Sequence, residues 1–203
     1  ILSSEYRDKV PVYATIWSKD FKDDETLSSR CEEILNQGYG GIKIYPLQKR
    51  TIDQAAICVS KIRQTLGFNI PLMLDLACPN DPNVSLKLAP LVKEFKPYWF
   101  EEPVDGEATR ALKEIKNQTG LRIVTGEKQC GINHFIETLA ADAVDIFNPD
   151  ISSVGGIIDM IKIIELSNKN NVRVSPHCWN SMSIAASATV SYTHLRAHET
   201  SVN

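Results

Sequence analysis

Six residues able to do chemistry recur at nearly even spacing: Lys43, Asp75, Glu101, Glu127, Asp150 and His177. From Asp75 onward the steps are 26, 26, 23 and 27 residues, each about one strand–helix unit. Asp75, Glu101 and Glu127 are carboxylates in phase. Massed negative charge at low dielectric is costly unless a cation compensates it. An all-oxygen ligand set suits a hard ion, and one open to substrate suits Mg²⁺. Any one of the three, taken alone, reads better as a solvated loop residue or a helix N-cap. Three in phase point to a metal. Asp150 and His177 form a second pair. A carboxylate on one imidazole nitrogen fixes the tautomer and leaves the other nitrogen as a base near neutral pH. A lone histidine is more often a satisfied core or loop residue, but the place of His177 beside Pro176, at the end of an apolar run, favours function.

These residues need elements behind them. Short runs rich in β-branched and aromatic residues predict strands at 10–17, 41–45, 71–77, 98–102, 122–125, 143–147 and 172–174. Amphipathic stretches predict helices at 24–37, 53–66, 85–95, 107–119, 134–140, 157–168 and 182–190, several ended by a glycine such as Gly38 or Gly120. Strict alternation argues for a parallel α/β sheet, and near-continuous apolar strands argue that both its faces are covered. An open doubly wound sheet satisfies the same pattern. The strand ends discriminate. One functional group per unit, always at the carboxyl end, surrounds the mouth of a barrel, where such barrels build their active sites. Along an open sheet the same groups would lie in a row that no single site could use.

The motifs Asp75-Leu76-Ala77, Phe100-Glu101-Glu102-Pro103, Thr125-Gly126-Glu127-Lys128, Asn148-Pro149-Asp150 followed by Gly155-Gly156, and Ser175-Pro176-His177 occur in that order. Together they resemble the enolase superfamily, and the His–Asp pair resembles its mandelate racemase subgroup. The likeness covers residues 10 to about 190. It implies a (β/α)7β TIM-like barrel with a separate capping domain, and one Mg²⁺ held by Asp75, Glu101 and Glu127. It implies further that a small-molecule carboxylate binds that metal and loses its α-proton. Removing that proton creates an enediolate with two negative charges, so a preorganised cation is the largest available source of stabilisation. Enolase-superfamily sites use a Lys or His base with Mg²⁺.

The chain departs from the subgroup at its second strand, where a Lys-x-Lys pair is common. Here it reads Lys43-Ile44-Tyr45. Lys43 aligns with the first lysine, beside the substrate carboxylate. Tyr45 replaces the second, the usual base on the opposite face. Racemisation needs an acid and a base on both faces, whereas β-elimination can run on His177 alone. The favoured expectation is therefore a carbon–oxygen lyase, an acid-sugar dehydratase. A racemase, epimerase or cycloisomerase of the same superfamily is the alternative, and a barrel without catalysis is a third reading. Tyr45 reads evenly as an acid or base with a lowered pKa and as packing in the mouth. Ala77 stands where Asn is frequent. Glu102 and Lys128 follow ligands directly and point elsewhere by strand alternation. Asn148 and Trp179 are candidate pocket residues.

The chain has 203 residues, 22 Lys and Arg against 25 Asp and Glu, and a formal net charge of -3. A mildly acidic chain without a basic cluster argues against nucleic acid as a partner, and no apolar run reaches the ~18–20 residues of a membrane span. Five cysteines, odd in number and without a CxxC pair, read as reduced thiols and a cytoplasmic protein. A barrel of this kind typically needs about 250 residues. With its Ile1 start, the chain reads as an incomplete barrel at 1–190, lacking the capping domain and last strand. Residues 191–203 read as a non-native or disordered tail, resembling translated adapter sequence. His194 and His198 there stand at i, i+4 but lack a third ligand. The fragment is expected to be inactive, its parent an enzyme and homo-oligomer.

Overall fold

The computed structural model describes residues 9–195. Seven strands and seven α-helices alternate as expected: β1 (Ala14–Ile16), α1 (Asp24–Asn36), β2 (Ile42–Ile44), α2 (Ile52–Leu66), β3 (Leu72–Asp75), α3 (Pro82–Val92), β4 (Trp99–Glu101), α4 (Thr109–Thr119), β5 (Ile123–Thr125), α5 (Asn133–Ala140), β6 (Ile146–Phe147), α6 (Ile157–Lys169), β7 (Arg173–Val174) and α7 (Ser181–His194). Strand order follows chain order from β1 to β7. This is the topology of consecutive (β/α) units of a TIM-like barrel, here seven.

Two compact units divide the described residues. The first comprises Val12–Asp105 and Glu114–Ile123, the second 9–11, Gly106–Lys113 and 124–195. In the first unit β1 to β4 pair in parallel, with Lys43 opposite Met73, Met73 opposite Trp99, and Asp75 opposite Glu101. Alternation then sorts the side chains. Ile42, Ile44, Leu72, Leu74 and Phe100 go to one face, where they are fully buried with Leu27, Cys31, Ile62 and Leu88 of the helices. Lys43, Tyr45, Asp75, Trp99 and Glu101 share the other face. In the second unit β5, β6 and β7 pair in parallel, and Phe135, Phe147, Met160, Ile163, Val174 and Val190 form a core.

Local chemistry sets the boundaries. Asp23 caps α1 by accepting from Thr26 N (2.8 Å), and Thr51 and Gln54 form a reciprocal capping box on α2. Asp81 accepts from Asn83 N (2.9 Å) with Pro82 opening α3, so that helix starts three residues earlier than its apolar pattern suggests. It also tightens into a 3₁₀ turn over Lys93–Phe95, which Lys96 ends in the left-handed region. β1 is shorter than residues 10–17: its ladder register runs over Ala14–Ile16, while Val12 O accepts from Gly40 N (2.8 Å) outside it. Helix α7 continues past residue 190 to His194, so the first residues of the expected tail are helical. His198 lies outside the described residues.

Arg63 ties the first unit together. Its buried guanidinium donates to the carbonyls of Phe95 (2.8 Å), Gly67 (2.7 Å), Ile70 (2.7 Å) and Lys96 (3.2 Å). It thereby joins the end of α2, the approach to β3 and the turn before β4. No helix among the described residues is long and apolar enough to cross a membrane.

Candidate active site

In the first unit the polar face of β2 to β4 carries two carboxylates around one ammonium. Lys43 Nζ lies 2.5 Å from Glu101 Oε1 and 3.1 Å from Asp75 Oδ2, and all three side chains are buried. Burial pulls the Lys43 pKa down, but Glu101, Tyr13 and Asp75 push it further up, well above the ordinary lysine value. Lys43 is thus the ion-pair partner of both carboxylates. Asp75 Oδ1 accepts from Ala77 N (2.9 Å), and Glu101 Oε2 accepts from Trp99 Nε1 (2.8 Å).

Tyr45 stacks flat on Trp17, with ring centres 4.4 Å apart and planes 8° from parallel. Burial raises the phenol pKa strongly, and the charge of Asp75 raises it further. Tyr45 thus sits between the Trp17 ring and the strand face that carries Lys43 and Asp75.

The loops after β3 and β4 carry the ladder beyond the strands. Leu76 N and Cys78 N donate to the carbonyls of Glu101 and Glu102, both at 2.9 Å. Ala77, Cys78 and Glu102 adopt positive φ of 55°, 56° and 43° to do so, a conformation that costs non-glycine residues of order 1–3 kcal/mol each. Glu102, buried just beyond β4, accepts from the Cys78 thiol (3.0 Å).

The second unit builds the acid–base pair. Asp150 and His177 form a parallel bridge just beyond β6 and β7, which sets their side chains alongside each other. His177 Nδ1 lies 2.9 Å from Asp150 Oδ2. Asp150 Oδ1 accepts from both Ser152 N (2.8 Å) and Ser152 Oγ, so the carboxylate is held at both oxygens. His177 Nε2, the other ring nitrogen, lies 3.4 Å from Glu127 Oε2. Gly126 makes the turn that presents Glu127: its φ is 134°, and a Cβ there would meet Phe135 Cε1 at 3.0 Å. Asn148 is buried, its N donating to Thr125 O (3.1 Å). Trp179 is largely exposed, its ring edge-on to His177 at 4.9 Å.

The structure thus gathers Lys43, Tyr45, Asp75 and Glu101 in one unit, and Glu127, Asp150, His177 and Trp179 in the other. Residues 26–201 match the enolase C-terminal domain-like family. The chain belongs to this family.

Its curated relatives include D-gluconate and D-galactonate dehydratases. The D-galactonate dehydratase of Klebsiella pneumoniae (strain 342) is 29% identical over 189 residues, covering 88% of this chain and 48% of that protein. Among solved structures, an enolase from environmental shotgun sequencing of the Sargasso Sea is 44% identical with a TM-score of 0.89, over 95% of this chain and 52% of that one. The 3,6-anhydro-D-galactonate cycloisomerase of Zobellia galactanivorans is 28% identical with a TM-score of 0.82, over 91% of this chain and 51% of that one. The chain spans about half or less of the length of the curated relatives it matches.

The side chains of this enolase-family chain fit a hard divalent cation. Asp75 and Glu101 are 2% and 0% exposed, and within their unit the two carboxylates face the single charge of Lys43. Buried carboxylates in excess of their cation favour a further positive charge, and their oxygens select a hard one. Two residues that spacing did not single out also take part. Trp99 lies two before Glu101 on the same strand face, and Ser152 lies two after Asp150. Their signal in sequence is only that offset.

Proposed function

We propose that the full-length protein is a Mg²⁺-dependent dehydratase of sugar acids. Asp75, Glu101 and Glu127 hold the ion, one carboxylate from the end of each of three consecutive strands. The ion supplies positive charge where the substrate carboxylate gains negative charge. Lys43 adds charge beside the same carboxylate. His177 Nε2 takes the α-proton, while Asp150 on Nδ1 holds the tautomer and stabilises the imidazolium. The Cα–H electrons form the new double bond, the β-hydroxyl leaves with its bonding pair, and His177 returns the proton to it as water. The enol released tautomerises to a 2-keto acid.

One observation carries elimination over isomerisation. The residue set provides one oriented base: an imidazole held by a carboxylate, with Tyr45 standing where the second lysine of a Lys-x-Lys pair is common. A 1,1-proton transfer with inversion needs a second base, and elimination does not. The dehydratase relatives agree with this reading.

The test is to incubate the full-length protein with Mg²⁺ and a panel of sugar acids in D₂O, following 2-keto acid and α-deuterium. Keto acid is the expected product. α-Deuterium with inverted configuration and no keto acid would establish an isomerase instead. Silence over a broad panel with Mg²⁺ bound would leave a barrel that binds without catalysing.

A further inference from the structure

We propose that Trp99 is a positioning residue for Mg²⁺, holding Glu101 in the orientation that ligation requires. This rests on the reading of Glu101 as a ligand. Trp99 and Glu101 are two apart on β4 and share its polar face. The indole is 4% exposed, and a buried indole N–H needs an acceptor. It finds Glu101 Oε2 at 2.8 Å. The ring is itself braced: Tyr13 meets it edge-on with centres 5.3 Å apart, and Tyr98 lies tilted at 5.6 Å. Glu101 Oε1 is then the oxygen turned toward Lys43 Nζ, 2.5 Å away, and Lys43 is also the neighbour of Asp75 Oδ2.

The two donors act differently. Lys43 brings charge on a flexible stem. Trp99 brings a neutral, rigid, donor-only group that pins one oxygen and so restricts rotation of the carboxylate. A glutamate has several rotatable bonds, and freezing them only when the metal arrives weakens binding. Partners of this kind typically account for 10–100-fold in metal affinity. The ordinary alternative is that Trp99 merely fills space beside Tyr13, which predicts lower stability without a change in metal affinity.

The experiment is Mg²⁺ titration of the full-length protein by calorimetry, without substrate, for wild type and Trp99→Phe. The variant keeps an aromatic ring and loses the N–H. The expected result is a Kd at least about tenfold weaker, with kcat restored once Mg²⁺ saturates. Equal Kd values in the two proteins overturn the proposal, whatever the change in melting temperature. Wild type that binds no Mg²⁺ overturns instead the ligand assignment beneath it. If Trp99→Phe does not fold, the wild-type indole ¹H–¹⁵N resonance of Trp99 takes its place. That resonance should shift on Mg²⁺ titration with the calorimetric Kd, and a resonance that does not move refutes the role.

Discussion

His177 carries the sharpest consequence of the site. Its Nδ1 meets Asp150 and its Nε2 is the proposed base, so His177→Asn should lower turnover by about 10²–10⁴-fold. Mg²⁺ affinity should change far less than turnover, because the imidazole is not among the proposed ligands and its contact with Glu127 is long, at 3.4 Å. Paired steady-state and calorimetric measurements check both, and retained turnover would remove His177 from the base role. Most of this constellation was legible in sequence. Spacing at strand ends, about one unit apart, by itself marks Lys43, Asp75, Glu101, Glu127, Asp150 and His177. Tyr45 was not decidable from its identity. A phenol serves as acid, base or packing according to its surroundings, which here are the stack on Trp17 and the carboxylate of Asp75. Trp99 and Ser152 were invisible for a related reason, since a hydrogen bond between residues two apart depends on how the backbone carries them.

Elements place these residues, and their defects should be felt at the site. Gly126 turns the chain after β5 at a φ of 134°. In Gly126→Ala the new methyl meets Phe135 and the backbone is strained, of order 1–3 kcal/mol. The expected outcome is lower stability in urea and weaker Mg²⁺ binding through Glu127, and unchanged values in both would show the turn tolerant. Arg63 makes a different case, far from chemistry. Arg63→Ala leaves four carbonyls without their donor and should cost about 3 kcal/mol in a denaturant titration. Arg63→Lys should recover only part, because one ammonium cannot reproduce the guanidinium fork. Element type and order followed from the sequence because apolar periodicity and caps are local. Element ends did so less well. Pro82 with the Asp81 cap lengthened α3, and a ladder register confined to Ala14–Ile16 shortened β1, each an effect of turn chemistry or pairing that periodicity does not record.

At the scale of the whole molecule, metal and fold should be linked. A ligand that binds only the folded state stabilises it by about 2.7 kcal/mol at a hundred times its Kd. Mg²⁺ should therefore raise the melting temperature of the full-length protein, EDTA should reverse the rise, and Asp75→Asn should abolish most of it. A melting temperature indifferent to Mg²⁺ would count against the ion as a resident of this fold. Sequence by itself determined the strand–helix alternation, the barrel-type topology and the strand-end positions of the charged groups. Those depend on period, chain direction and spacing, which are properties of neighbours along the chain. Tertiary structure alone decided which partner each group meets: Lys43 between Asp75 and Glu101, Asp150 on His177, Trp99 on Glu101, Tyr45 on Trp17. Register and side-chain packing set those contacts across tens of residues, and burial then gives each charge its strength.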